Sequence, residues 1–157
     1  PLIRGGGQER GLRSGTEATP QIAALAAAAS LGMERMEEHT AALTDLKAYA
    51  LETFQRGGPG LAVVSPGDAP HICAISLPGY PSQVVVRWLS DRGFCVSSGS
   101  ACHRGKASHV YAAMHLSKGV RDGVLRISFG PENTRQEVDQ LAQALLEATR
   151  DLVPARG

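Results

Sequence analysis

ICAISL at residues 72–77 and VLRISF at residues 124–129 are the two stretches of sequence that decide the fold. Both are short and rich in branched apolar residues, a composition that is typical of strands. Residues 61–64 predict a further strand, and residues 94–96 predict a brief one. Within VLRISF, alternation places Arg126 on the opposite face from the apolar residues on either side of it.

Helical periodicity, with apolar residues every three or four positions, fills much of the remaining sequence. The predicted helices cover residues 19–56 with a possible break at 38–40, then residues 82–92, 108–116 and 134–152. Thr19 can cap the first helix, with Pro20 at its first position. Thr134 and Glu137 have the spacing of a capping box. We therefore expect an α+β fold, in which a small, largely antiparallel sheet is covered by helices and led by a long helix.

The composition excludes several classes of protein. The chain has 157 residues, and 16 basic side chains nearly balance 15 acidic ones, so we expect no nucleic-acid partner. The longest apolar run is too short to cross a bilayer, and we expect no membrane association. Three cysteines without Cys-x-x-Cys spacing favour a reduced, cytoplasmic protein. The histidines lack the spacing of paired metal ligands, so no metal site is expected.

Cys102 is the candidate nucleophile. It lies among the small residues of SSGSACHRGK at residues 97–106, which leave the sulfur unpacked. Nearby positive charge favours the nucleophilic thiolate, and three potentially cationic side chains follow within four residues: His103, Arg104 and Lys106. An incidental loop cysteine fits the same composition. Cys73 and Cys95 lie in apolar strand patterns and are predicted to be small buried residues.

Arg126 and the start of the chain are candidates for ligand binding. An arginine on a rigid strand suits bidentate recognition of a carboxylate, and an ordinary solvated arginine is the alternative. Residues 1–17 are rich in glycine and poor in apolar side chains, which predicts a loop that lies over another part of the protein. Backbone N–H groups there, together with Thr16, suit a phosphate, although no P-loop or Rossmann motif is present.

Three segments together resemble the class V aminotransferase-like cysteine desulfurases, which are fold-type I enzymes that use pyridoxal 5′-phosphate (PLP). The segments are GGGQERGLRSGT at residues 5–16, VSSGSAC at 96–102 and LRISFG at 125–130. Their order and separations match the family across essentially the whole chain, which resembles its carboxy-terminal small-domain portion. SSGSAC resembles the branch whose cysteine lies on a longer loop and passes sulfur to scaffold or carrier proteins.

The resemblance implies a role for each candidate residue. Cys102 would attack the sulfur of L-cysteine and keep it as a persulfide, with release of L-alanine. Arg126 would bind the α-carboxylate of the substrate, and Thr16 would contact the PLP phosphate of the neighbouring subunit in a homodimer. The residues after Cys102 depart from the serine- and threonine-rich pattern of the family, which leaves their role and the identity of the sulfur acceptor open.

The resemblance also implies that part of the enzyme lies outside this chain. The family holds PLP as a Schiff base on a lysine, and the chain's lysines do not match its setting: Lys47, Lys106 and Lys118. We therefore expect the isolated chain to be inactive. Residues 1–17 are expected to contribute to a cofactor site at the dimer interface. Residues 18–157 are expected to form the small domain, with the catalytic-cysteine loop at 97–107.

Two other functions are compatible with the sequence. A selenocysteine lyase or a related PLP lyase would keep the fold and change the substrate. A stand-alone persulfide carrier or dimerisation module would act without its own PLP. The expected partners of a desulfurase are L-cysteine, a second subunit and a sulfur acceptor or scaffold protein, such as one that serves iron–sulfur cluster assembly.

Overall fold

Three antiparallel strands form one sheet in the computed structural model, which describes residues 1–57, 60–65, 67–99 and 109–155. In spatial order they are β1 (Ala62–Ser65), β2 (Ile72–Ser76) and β3 (Val124–Ser128). Three of the four predicted strands therefore form, each within one residue of its expected bounds. The small antiparallel sheet of the predicted α+β fold is confirmed.

The pairing of β2 with β3 fixes which residues share a face. Ala74 lies opposite Arg126, and Ile75 lies opposite Leu125. Just before β3, Gly123 approaches the end of β2 so closely that a Cβ at this position would overlap the Leu77 carbonyl. A glycine is required there because any side chain would push the two strands apart.

Six α-helices accompany the sheet in the described part of the chain. They are α1 (Thr19–Glu34), α2 (Met36–Arg56), α3 (Ser82–Ser90), α4 (His109–Ala113), α5 (Lys118–Asp122) and α6 (Arg135–Asp151). None of the helices in the described ranges combines the length and the apolar character that crossing a bilayer requires.

The main core lies on one face of the sheet. Ile75 and Leu125 from that face are fully buried with Phe54 of α2, Leu89 of α3 and Leu145 of α6. Within each of these three helices, the buried residues recur every three or four positions, so each helix buries one stripe of its surface. The opposite face of the sheet carries Ala74, Val124 and Arg126 and is not part of this core.

Several boundaries differ from the sequence-based expectations. Residues 94–96 form no strand, although Phe94 and Val96 still pack against the main core. The long leading helix breaks at Arg35 rather than at 38–40. The helix predicted over 108–116 ends at Ala113 as α4, because His115 adopts a left-handed backbone conformation with φ 53°. The following α5 was missed.

The chain divides into two compact units, Pro1–Glu38 and His39–Gly157, which are described separately. In the first unit, residues 1–17 fold back on themselves: the Leu2 N–H donates to the Leu12 carbonyl at 2.7 Å, and the Ser14 hydroxyl donates to the Gly6 carbonyl at 2.6 Å.

Helix α1 begins at Thr19 itself, without a side-chain cap. No residue of α1 is buried, although it carries no charged side chain before Glu34. Met33 is 75% exposed.

Lys47 is a buried cation in the second unit, with 7% of its surface exposed. Its ammonium group donates to the carbonyls of Gly67 and Ala69 at 2.8 and 2.7 Å. These two bonds attach the connection between β1 and β2 to helix α2. A buried ammonium is tolerated here because carbonyl oxygens replace water around it.

Replacing Lys47 by Met is expected to destabilise the fold by about 1–3 kcal/mol, because two carbonyls lose a charged donor. Urea denaturation measures the free energy of unfolding. The control is Lys118→Met, which removes an exposed lysine and is expected to change stability by less than about 0.5 kcal/mol. Equal stability of both variants would show that the two hydrogen bonds contribute nothing.

The predicted capping box opens α6, and both of its hydrogen bonds are present. The Glu137 N–H donates to the Thr134 hydroxyl, and the Glu137 carboxylate accepts from the Thr134 N–H. The N–H of Thr134 and the side chain of Asn133 hold the pKa of Glu137 below its usual value. Stability contributed by this ionised carboxylate is therefore present above the usual pKa and is lost as the pH falls through the lowered one.

Glu137→Gln keeps the shape of the cap but removes the charge. The free energy of unfolding of this variant is expected to fall less steeply than that of the wild type as the pH is lowered through the acidic range. Denaturation at a series of pH values measures the two slopes, with Glu147→Gln on the same helix as the matched control. Identical slopes for the wild type and Glu137→Gln would contradict the expectation.

Candidate substrate-binding site

Arg126 is the central residue of β3 and points to the face of the sheet opposite the main core. Its amide donates to the Ser97 carbonyl at 2.6 Å, and its carbonyl accepts from the Ser97 N–H at 3.2 Å. Because both backbone groups are directed away from β2, Ala74 and Arg126 form a non-hydrogen-bonded pair, in which side chains lie close together.

The guanidinium of Arg126 has a buried nitrogen without a partner. No described group accepts a hydrogen bond from its Nε atom, although this atom is shielded from solvent. A buried donor left unpaired costs about 1–3 kcal/mol. A carboxylate bound by the guanidinium would remove that cost, and it would supply the negative charge that a partly buried cation needs.

Small and apolar residues surround Arg126 on its face of the sheet. Ala74 and Val124 pack with Tyr111 of α4 in a second, smaller cluster. Val64 and Leu116 lie at its margin. Apolar surroundings weaken the competition of water for the guanidinium and so strengthen its attraction for an anion.

Cys102 lies outside the described residues, as do His103, Arg104 and Lys106. The segment that leads to Cys102 starts at Ser97, which is paired with Arg126.

Thr16 belongs to the first unit, where it is exposed. Its carbonyl accepts from the Arg13 guanidinium at 3.3 Å. The preceding Gly15 has φ 111°, a conformation that favours glycine, and its N–H donates to the Gln8 side chain at 3.2 Å. These contacts fix the backbone around Thr16 and leave its hydroxyl on the surface.

The other two cysteines differ from each other. Cys73 is 2% exposed, and burial raises the pKa of its thiol to about 11, although the charge of Lys47 partly opposes this. Cys95 is exposed, so the expectation that it is buried is wrong. The reason is that residues 94–96 do not join the sheet. Cys95 instead lines a cleft of about 400 Å³ between this segment and the start of α6.

Ser97 and Tyr111 lie beside Arg126, and the sequence patterns do not predict this. The sequence predicts a loop at Ser97, because a single bridge leaves no periodic signal. Tyr111 falls in a predicted helix, but its packing on Ala74 and Val124 joins residues that are far apart along the chain. In the described ranges, no group of three or more His, Cys, Asp or Glu side chains is arranged to hold a metal ion.

Comparison with known proteins identifies the family. The family described as Aminotransferase class-V matches residues 5–141, and the chain belongs to it. A "Cysteine desulfurase" from Gluconacetobacter diazotrophicus is 34% identical over 151 residues, covering 92% of this chain and 37% of the relative. A "Cysteine desulfurase IscS" from Clostridium botulinum is 32% identical, covering 98% and 41%.

Solved structures agree with this assignment. A NifS-like protein superposes with a TM-score of 0.81 at 30% identity, covering 97% of this chain and 39% of the other. A NifS-like protein from Rickettsia africae gives a TM-score of 0.79 at 26% identity, covering 96% and 40%. The resemblance predicted from the three motifs is confirmed. The chain spans about two-fifths of the length of these relatives.

The two described cysteines are expected to react differently with a maleimide at neutral pH. Cys95 is accessible, whereas Cys73 is buried and its raised pKa keeps it protonated. Mass spectrometry of proteolytic peptides, which separates both from Cys102, should find Cys95 modified and Cys73 modified only in denaturant. Equal rates for Cys73 and Cys95 in the folded protein would contradict the assigned burial.

Proposed function

We propose that this chain is part of a PLP-dependent cysteine desulfurase. The enzyme takes sulfur from L-cysteine as a persulfide on Cys102, releases L-alanine and passes the sulfur to an acceptor or scaffold protein. The observation that carries the proposal is the pairing of Arg126, whose buried Nε atom lacks a partner, with Ser97, the start of the segment that bears Cys102. Membership of the aminotransferase class-V family and relatives named cysteine desulfurase support it.

Arg126 binds the α-carboxylate of L-cysteine in this proposal. A guanidinium presents parallel N–H donors that match two carboxylate oxygens. β3 is paired with β2 on one side and with Ser97 on the other, so its backbone is held in place. A receptor on such a strand orients the substrate, because the carboxylate fixes one end of a small molecule.

Cys102 attacks the substrate sulfur as a thiolate. A sulfur–sulfur bond forms and the bond between Cβ and sulfur breaks, with its electron pair staying on Cβ. Cβ then takes a proton and becomes the methyl group of alanine. The two sulfur atoms are oxidised to the persulfide while Cβ is reduced, so no external oxidant is required.

PLP supplies the electron sink that lets protons move on the substrate before this bond breaks. Thr16, which is exposed beside the constrained Gly15, would contact its phosphate from the neighbouring subunit of a homodimer. Residues 1–17 would thus contribute to a cofactor site at the dimer interface, and residues 18–157 would form the small domain. The cytoplasm is the proposed location.

The Schiff-base lysine is proposed to lie outside this chain. The Lys47 ammonium is buried and already donates hydrogen bonds to two carbonyls. Forming a Schiff base on this nitrogen would break these hydrogen bonds. Lys118 is exposed on α5, and Lys106 lies outside the described residues. We therefore expect the isolated chain to bind no PLP covalently and to release no alanine from cysteine.

Cys102→Ala in the complete PLP-bound enzyme is expected to abolish sulfide and alanine release from L-cysteine. The rate should fall by several orders of magnitude, because no other group replaces a missing nucleophile. Absorbance of the bound cofactor checks that PLP is retained. Cys95→Ala is the matched control and should keep the wild-type rate, since Cys95 faces the cleft near α6.

Turnover by Cys102→Ala at the wild-type rate would place the chemistry elsewhere on the protein. Assays with L-selenocysteine separate the substrate classes, because a selenocysteine lyase would turn over that substrate and not L-cysteine. Alanine release by the isolated chain would contradict the proposed position of the lysine.

A further inference from the structure

Tyr111 lies on the same face of the sheet as Arg126. It is 9% exposed and packs with Ala74 and Val124. Ala74 is the direct cross-strand neighbour of Arg126, and Val124 precedes Arg126 by two residues on the same strand. Both contacts of Tyr111 are therefore immediate neighbours of the arginine side chain.

The charge of Arg126 acts on the Tyr111 hydroxyl. Burial raises the pKa of this hydroxyl, and the positive charge of Arg126 opposes part of that rise. Because its pKa is raised, the hydroxyl stays protonated at neutral pH. A protonated phenol can both donate and accept a hydrogen bond, whereas the guanidinium can only donate. The Nε atom of Arg126 has no acceptor among the described groups, so the phenol oxygen does not satisfy it. A ligand with several acceptor positions can receive hydrogen bonds from both side chains.

A carboxylate is the acceptor that fits both groups. Its two oxygens offer about four acceptor positions, of which the guanidinium fork occupies two. The backbone N–H groups of Ser97 and Arg126 also lie at the site, but each already donates to the carbonyl of the other residue. They are therefore not free to bind a carboxylate. Tyr111 packs on two neighbours of Arg126 on this face and is thus a side chain that can donate to a carboxylate bound there.

We propose that Tyr111 is a second substrate-binding residue, whose hydroxyl donates a hydrogen bond to the carboxylate bound by Arg126. This inference rests on the proposed function and extends it, because it assigns recognition of the amino-acid carboxylate to a pair of residues from β3 and α4. The hydroxyl contributes to binding of the substrate and of the alanine product alike. Tyr111 therefore affects KM for L-cysteine more than kcat.

The test uses the complete PLP-bound enzyme and calorimetric titration with two ligands, L-alanine and L-alaninamide, which replaces the carboxylate by a neutral amide. Tyr111→Phe is expected to bind L-alanine about tenfold more weakly, the size expected for a hydrogen bond to a charged group. Its affinity for L-alaninamide should change less than twofold. Tyr111→Leu, which keeps apolar packing, should show the same selective loss.

Tyr80→Phe is the matched control. The Tyr80 hydroxyl donates to the Thr149 carbonyl at 3.0 Å, away from Arg126. Removing this hydroxyl should leave the affinity for both ligands unchanged, and thermal unfolding of each variant checks that the fold is kept. In assays with L-cysteine, Tyr111→Phe should raise KM with kcat within about twofold of the wild type.

Arg126→Met separates failure of this inference from failure of the proposed function. If Arg126→Met weakens L-alanine binding and Tyr111→Phe does not, only the assignment of Tyr111 is overturned. If Arg126→Met also binds L-alanine like the wild type, the carboxylate site itself is wrong, and both proposals fall. An equal loss of L-alanine and L-alaninamide binding in Tyr111→Phe would reduce Tyr111 to a structural role and overturn the inference.

Discussion

The two hydrogen bonds between Ser97 and Arg126 are the contact on which the candidate site depends. β3 lies at the edge of the sheet, so the backbone groups of Arg126 would otherwise be without partners in the ladder. Ser97 supplies both bonds, and the bends at Ser98 and Gly99 follow immediately. A single bridge anchors the segment at one residue without incorporating it into the sheet. The segment that leads to Cys102 therefore starts beside the proposed carboxylate receptor.

The two faces of the sheet have different physical functions. On one face, Ile75 and Leu125 are fully buried against three helices, and close packing holds the strands in place. On the other face, small side chains such as Ala74 leave room for a long arginine. The unpaired Nε of Arg126 costs free energy in the absence of a ligand. The packing of Leu125 on the first face stabilises β3. The same strand holds the unpaired guanidinium nitrogen of Arg126 on the second face.

Much of this arrangement follows from local sequence patterns. Strict alternation in VLRISF assigned Arg126 to the face opposite Leu125, and the structure agrees. The same reasoning failed for Cys95, because three apolar residues are too few to distinguish a strand from an extended segment that packs beside one. The end of α4 depends on the left-handed conformation of His115, which the helical periodicity of residues 108–116 does not indicate. The place of Tyr111 depends on contacts with distant residues, and no local pattern encodes them.

Two separate shortfalls indicate that the chain works as part of a longer polypeptide. Helix α1 is apolar on all sides and has no buried residue, and a helix of this kind is stable in water only when other protein surrounds it. The proposed chemistry places the PLP-binding lysine outside this chain, and Lys47 already donates to two carbonyls. One shortfall concerns packing and the other concerns catalysis.

Relatives about two and a half times as long supply enough further chain for both, since this chain covers only 37% and 41% of their length. In the proposal, the cofactor lysine and the protein that covers α1 both belong to this further chain. The sheet and the Arg126 site belong to the second unit, whose core is formed by residues of this chain.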